Sequence, residues 1–365
     1  MKRIFIFLSF IISISANQLK VPSQYSTIQA AIDASNDGDT VSVSVGTYKE
    51  RLEIIDKEIT ILGENPLKTI IDGFGVELDE GYGNGNGDQW IRIVGKKITI
   101  SGFTIMNVPS GNILYHRQSS ITNCIIKNNK TTGTANGEAM IRSDLIEDVA
   151  IIDNNIEHGI LFLSKHARVN RVSIANNITG FFLISMEFLG GIIKNMILWG
   201  NTTPNGPSKM LFAFDDSQTL KDISYSIIQT DPLWLNNFGP GVIALDPLFC
   251  DYVSNVFPNL KGNYNLTPSS PAIGSGENGT NMGAFVDIGC DIDRLETLSG
   301  IIPKDFFLHE NYPNPFNPTT TLRFDLPQVS DVTLTIYNML GQKVRTYNMN
   351  DTPAGFHSIK WNATN

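Results

Sequence analysis

Asn123-Cys-Ile-Ile-Lys-Asn128, Asp148-Val-Ala-Ile-Ile-Asp-Asn154, Asn170-Arg-Val-Ser-Ile-Ala-Asn176 and Asn195-Met-Ile-Leu-Trp-Gly-Asn201 are four copies of one short pattern, and Asp222-Ile-Ser-Tyr-Ser-Ile-Ile228 is a weaker echo. The first Asn or Asp of each copy falls at 123, 148, 170, 195 and 222, in steps of 25, 22, 25 and 27. A period in the twenties is that of a solenoid. Each copy is a turn-forming residue, a few residues rich in Ile and Val, and another Asn, which fits a short strand between two bends. Coils of three such strands stacked about 4.8 Å apart pair every backbone group with the rung above and below. Asn and Asp tolerate the left-handed backbone of a tight bend, and stacked amides hydrogen-bond along the axis. Asn123, Asp148, Asn170, Asn195 and Asp222 are therefore expected to form one column of bends, a structural ladder.

The chain has 365 residues, more than one ordinary compact domain, and two units are expected. Its net charge of -9 argues against nucleic acid, which is met by a basic face. The same charge means that binding an acidic polysaccharide needs a local basic cluster or a bridging cation. Lys2 and Arg3, the apolar run Ile4 to Ile14 and Ser15-Ala16 read as a secretory signal peptide over residues 1–16, too short for a transmembrane segment. Of the three cysteines, Cys124 reads as core, while Cys250 and Cys290 could pair.

After the signal, Thr27 to Ala34 has a helical pattern with Ser26 available as cap, and it precedes the alternating stretch Thr40-Val-Ser-Val-Ser-Val-Gly46. An amphipathic helix laid across the open first rung would blunt its exposed strand edges. With Glu58-Ile-Thr-Ile-Leu-Gly63, Thr69-Ile-Ile-Asp-Gly73 and Ile98 to Asn107, this opening resembles the right-handed parallel β-helix superfamily that includes pectate lyases and pectin esterases. The resemblance covers about Val21 to Asp291 and implies fold more than activity. It makes residues 17–291 the expected solenoid. Ala244 to Phe249, Tyr264 to Gly274 and Gly283-Ala-Phe285 look like the closing segment of secreted β-helix proteins, departing at Gly274 where an acidic residue is more usual. The Gly-, Asn- and Asp-rich stretch Asp79 to Asp88 reads as an excursion from the stack whose oxygens could wrap Ca²⁺, or as an ordinary flexible loop.

Residues 292–305 read as a linker, and from 306 the character changes. Asn311-Tyr-Pro-Asn-Pro-Phe-Asn-Pro318 introduces period-two strands broken by Pro and Gly, which indicate a small Ig-like β-sandwich over 306–365. This part is similar to the C-terminal sorting domain of type IX secretion cargo, which implies passage across an outer membrane and attachment at the cell surface, with the type IX machinery as partner. Lys304 to Asn365 is only 62 residues, short of the roughly 100 of a seven-stranded sandwich, so the closing strands are expected to be missing.

A second column lies four to eight residues before each bend: His116 and Arg117, Arg142 and Asp144, Lys165 and His166, Glu187, then Asp215 and Asp216. Three chemistries suit it. Glu187 with Asp215 or Asp216 would serve a retaining glycosidase at about 5 to 5.5 Å and an inverting one at about 6.5 to 9.5 Å. In a lyase acting on a uronate-containing glycan, Arg142, Lys165 or His166 would be the base, and Ca²⁺ on Asp215 and Asp216 would hold the developing charge. The third is plain sugar binding with an aromatic such as Tyr115. The competing reading is an ordinary solvated strand face with weak ion pairs. His158 and His357 stand alone, and neither His-Glu-x-x-His nor Gly-x-Ser-x-Gly occurs. The expectation is an all-β protein, a β-helix with an N-terminal capping helix and a C-terminal sandwich, exported and in contact with polysaccharide. Its rivals are a lyase or glycoside hydrolase and a structural or adhesive surface protein.

Overall fold

The computed structural model describes residues 16–76, 89–109, 111–131, 139–164, 166–186, 191–203, 211–213, 219–251, 263–284, 306–308, 311, 318–338, 340–352 and 355–364. The chain divides into two compact units, Met1–Cys290 and Asp291–Asn365. The signal-like residues before 16, the loop Asp79 to Asp88 and Cys290 fall outside the described residues. Cys250 is disulfide-bonded, and Cys124 is a free, buried thiol.

The first unit is a parallel β-solenoid. One turn begins with the strand Ser119–Lys127, bends within it at Asn123 (φ 49°) and turns a corner at Asn128 (φ 54°). It continues through Lys130–Thr131 to Ala139–Arg142, and Leu145–Ile152 then opens the next turn. That strand lies parallel to the one below, with Cys124 against Val149 and Ile126 against Ile151, and Arg168–Ala175 repeats the step. Seven strands from Leu52–Ile55 to Leu211–Ala213 stack as a second sheet, and Lys130–Thr131, Asn155–Ile156 and Ile178–Thr179 stack as a third. The alternation in sequence decides which side chains fill the interior. Cys124, Ile126, Val149, Ile151, Val172 and Ile174 are fully buried, and each Ile so placed contributes about 1.5–3 kcal/mol.

The left-handed bend column consists of Asn123 (φ 49°), Asp148 (53°), Arg171 (50°), Asn195 (55°) and Tyr225 (46°). Two expected members are therefore corrected. Asn170 pairs with Glu147 and Lys194, one residue short of the bend, and Asp222 ends the 3₁₀ turn Thr219–Asp222, three residues before Tyr225. Register, set by the buried aliphatic positions, outranks the preference of Asn for left-handed backbone. Arg171 is held there by Asp148, whose two carboxylate oxygens accept from its guanidinium at 2.6 and 2.7 Å. Asn170 still links rungs, donating to Glu147 Oε1 at 2.8 Å and accepting from Asn195 Nδ2 at 2.9 Å.

The continuous buried ladder is a different column, formed by Asn129, Asn154, Asn177 and Asn201. Each side-chain amide donates to the next residue's Oδ1, at 2.9, 2.8 and 2.9 Å. The same oxygens accept from the backbone N–H of the residue below, each at 3.0 Å. These corners bury amides without leaving them unsatisfied.

The helix Ile28–Ala34 places Ile28, Ala31 and Ile32 in the core. Its N-cap is Thr27, which accepts from Ala30 N–H at 3.1 Å; Ser26, the expected cap, lies one residue too early. Both helix ends are clamped by the next turn. Glu50 accepts from the N–H groups of Ile28 and Gln29 at 3.0 Å. Lys57 Nζ donates to the carbonyls of Ile32, Asp33 and Ser35 at 2.6, 2.7 and 2.9 Å. Charges of these signs at these ends complement the helix dipole.

Within the first unit, the described segments 245–251 and 263–284 lie along the side of the stack. Phe249, Tyr264, Leu266, Ala272, Met282 and Ala284 cover Ile125, Ala150, Ile152, Ala175, Ile197 and Ile227 in a second hydrophobic cluster. The cover is pinned by Glu277 N–H on Asn195 Oδ1 at 2.7 Å, Ala284 N–H on Ser173 Oγ at 2.9 Å and a Lys194–Glu277 ion pair.

In the second unit, Thr319–Leu326 pairs antiparallel with Gly355–Asn362 and Phe307–Leu308, while Ser330–Tyr337 pairs with Lys343–Thr352. Thr320, Phe324 and Leu326 are buried. Among the described residues, Gly355–Asn362 is paired along one side.

Candidate functional site on the second sheet

The second sheet carries an outward column that register defines directly. Tyr115 lies beside Arg142, and Arg142 beside Phe162; Phe162 is followed by Ser185. Glu53 and Arg92, paired on the earlier rungs, form an ion pair. Adjacent rungs bring such side chains into contact. The Arg142 guanidinium sits 5.1 Å from the Tyr115 ring centroid and 4.7 Å from that of Phe162. It also donates to the Tyr115 hydroxyl at 2.9 Å. An arginine between two ring faces is held by cation–π attraction on both sides, so its planar fork is oriented before any ligand arrives.

Tyr115, His116, Arg117, Gln118 and Arg142 line a cavity of about 360 Å³ beside this column. The strand ends at Tyr115, and the turn that follows presents Arg117 and Gln118 as exposed residues. His116 is fixed by its own backbone, with its N–H donating to the Arg142 carbonyl at 3.0 Å and its carbonyl accepting from Ser119 Oγ at 2.6 Å. Burial holds the His116 imidazole below the usual histidine range, against a hydrogen bond to the Gly95 carbonyl and the charge of Asp144, which both act upward. The described lining thus offers two guanidiniums, an amide, a phenol and an imidazole.

Of the residues expected in the charged column, Arg142 lies at the centre, beside His116 and Arg117. Asp144 accepts from Ser164 Oγ at 3.0 Å. His166 lies in an exposed corner turn, four residues beyond Phe162, so it does not share the face with Arg142. Lys165, Glu187, Asp215 and Asp216 fall outside the described residues, and with them the proposed carboxylate pair and Ca²⁺ ligands. Phe162, which carries no charge, is not among the residues expected in the charged column. Its signal is its place in Gly159-Ile-Leu-Phe-Leu163, aligned with Ala139-Met-Ile-Arg142.

Among the described residues, no group of three or more His, Cys, Asp or Glu is placed to hold a metal ion, and no helix is long and apolar enough to cross a membrane. A parallel β-solenoid of this kind fits a surface or structural protein. The comparison with curated proteins finds no match to the chain. Residues 314–365, within the second unit, match the FlgD Ig-like domain family.

Proposed function

We propose that the chain is an exported cell-surface protein whose solenoid binds an acidic polysaccharide around Arg142, and whose C-terminal Ig-like domain is its type IX sorting signal. The observation that carries the binding reading is Arg142 stacked between Tyr115 and Phe162 at the rim of the 360 Å³ cavity. On a chain of net charge -9, this is the local basic cluster that an anionic polymer requires. A preoriented guanidinium forms two parallel hydrogen bonds to a sugar carboxylate, and the adjacent rings offer faces for the apolar side of a pyranose. Export rests on the Lys2 to Ala16 pattern, and sorting on the Asn311 to Pro318 motif and the Ig-like strands that follow.

The test is a glycan array of uronate-bearing and neutral polymers, with and without Ca²⁺, read on the parent and on Arg142→Ala. A lost charge-assisted pair of about 1.5–3 kcal/mol predicts roughly 10- to 100-fold weaker binding to acidic polymers. Unchanged binding by Arg142→Ala, or binding confined to neutral polymers, contradicts the assignment. Unsaturated sugar ends appearing during incubation would make the site that of a lyase instead.

A further inference from the structure

A different face carries a second surface. In the first sheet, register aligns Thr40, Thr60, Thr99 and Ser120 in one outward column, and Ser42, Leu62, Ser101 and Thr122 in the column two residues along. The alternate residues Val41, Val43, Ile61, Ile100 and Ile121 are buried, which fixes these two columns on the outside. Seven of the eight positions bear hydroxyls and none is charged. On the rung before, the same columns carry Gln18 and Lys20, and on the following rungs they change character, to Leu145 and Glu147, Arg168 and Asn170, then Ile192 and Lys194. The hydroxyl block is therefore confined to four consecutive rungs.

Six of its seven hydroxyls are unpartnered among the described residues. Ser42 Oγ accepts from Gln18 Nε2 at 2.6 Å, but among the described residues no partner meets the hydroxyls of Thr40, Thr60, Thr99, Ser101, Ser120 or Thr122. Ser120 is only 7% exposed, and it still has no side-chain partner, whereas its inward neighbour Ser119 is bonded to the carbonyl of His116. A buried side chain that keeps its hydroxyl free on the outer face points to something outside the protein.

We propose that this face adsorbs to ice. In-register stacking sets the hydroxyls on a net of about 4.8 Å between rungs and roughly 6.6 Å along each strand, two perpendicular repeats of the same order as those between oxygens in the ice lattice. Each hydroxyl both donates and accepts, as a lattice water does. The threonine methyls and Leu62, 41% exposed, supply the apolar filling between them. The block has no charge for an ion and no aromatic ring for a sugar. What it has is rigid periodicity, and many weak contacts held at fixed spacing add up only against a partner that is itself periodic.

The experiment grows ice slowly from a solution of the fluorescently labelled full chain and measures its concentration in ice and liquid, with thermal hysteresis read in parallel. The parent is expected to be enriched in the ice and to hold a gap between melting and freezing. Thr60→Lys and Ser101→Lys, each placing a charge in the net, are expected to be excluded from ice. Ile55→Lys, on the second sheet, should behave as the parent. Circular dichroism melts identify any variant that misfolds, and the two net variants are independent, so either one suffices. Exclusion of the parent from ice, or adsorption to microcrystalline cellulose in its place, overturns the proposal. So does a folded net variant that partitions as the parent does.

Discussion

Asn154→Ala should be among the most destabilising single changes in the solenoid. The side chain makes five hydrogen bonds. Its Oδ1 accepts from the backbone and side-chain amides of Asn129 at 3.0 and 2.9 Å. Its Nδ2 donates to Asn177 Oδ1 at 2.8 Å and to the carbonyls of Ile126 and Ile152 at 3.0 Å each. Alanine leaves the buried Asn129 N–H without that acceptor, and Asn129 Nδ2 keeps only a longer bond to the Ile105 carbonyl at 3.3 Å, while its Oδ1 still accepts from Val108 N–H at 3.0 Å. One orphaned buried donor costs about 1–3 kcal/mol, and the remaining lost bonds bring the total to roughly 3–5 kcal/mol. For a unit of this size, that lowers the midpoint of thermal unfolding by roughly 10 °C. The assay is unfolding followed by far-UV circular dichroism in urea and on heating, with Asn123→Ala as comparator. Asn123 is exposed at its bend, so alanine there loses chiefly tolerance of left-handed backbone, about 1 kcal/mol. If Asn154→Ala costs no more than Asn123→Ala, the buried ladder is not what holds the rungs in register.

Burial pushes the Cys124 thiol up to about 12; iodoacetamide at pH 8 should leave it unmodified in the folded protein and alkylate it in urea, as read by intact mass. A Cβ on Gly63 would lie 2.2 Å from the Gly102 carbonyl oxygen of the next rung, whereas one on Gly38 would meet nothing within 4 Å. Gly63→Ala should therefore cost roughly 3 kcal/mol or more and Gly38→Ala only the roughly 1 kcal/mol of left-handed strain, by urea titration. His116 titrates below its ordinary value of 6.5 when folded, so the unfolded chain binds its proton first as the pH falls. The stability this group contributes is present above pH 6.5 and is lost as pH drops towards the folded value, and His116→Gln should flatten that part of a denaturation-versus-pH curve.

The solenoid was legible because its cause is local and repeated. Ile-Val runs between Asn or Asp bends recur at nearly constant spacing, and each copy reports the same cross-section. Which polar residue stands in which column is less evident from the sequence. The first polar residue of each copy falls at 170 and 222, whereas register selects 171 and 225. The second Asn of the closing pairs, 129, 154, 177 and 201, had the steadier spacing, with separations of 25, 23 and 24 residues. That steadiness was the available signal for the buried ladder, since an interior position cannot drift without breaking the stack. The site was legible only in part. Arg142 stood out by its charge, but its partners are defined by strand pairing across loops of unequal length, which slack alignment of charged residues does not recover. Thr27 displaced Ser26 as cap for a similar reason: a shift of one residue changes which hydroxyl meets the free N–H groups.

Register is therefore the quantity on which surface chemistry turns in this molecule. Arg142 stands between two aromatic rings because Tyr115, Arg142 and Phe162 occupy one row across three rungs. Displaced by one residue, its neighbours along that row would be His116 and Leu163, and the cation would lose both ring faces. The same three rungs continue, after their next strands, into Asn129, Asn154 and Asn177, whose amide chain is satisfied only when those corners are directly superposed. A one-residue slip would leave several buried amides without partners at once, at about 1–3 kcal/mol each. The interior ladder thereby penalises the misalignments that would scatter the outer columns. It lets faces as different as the cationic aromatic row and the uncharged hydroxyl net be written on one stack by outward residues that contribute little to holding it together.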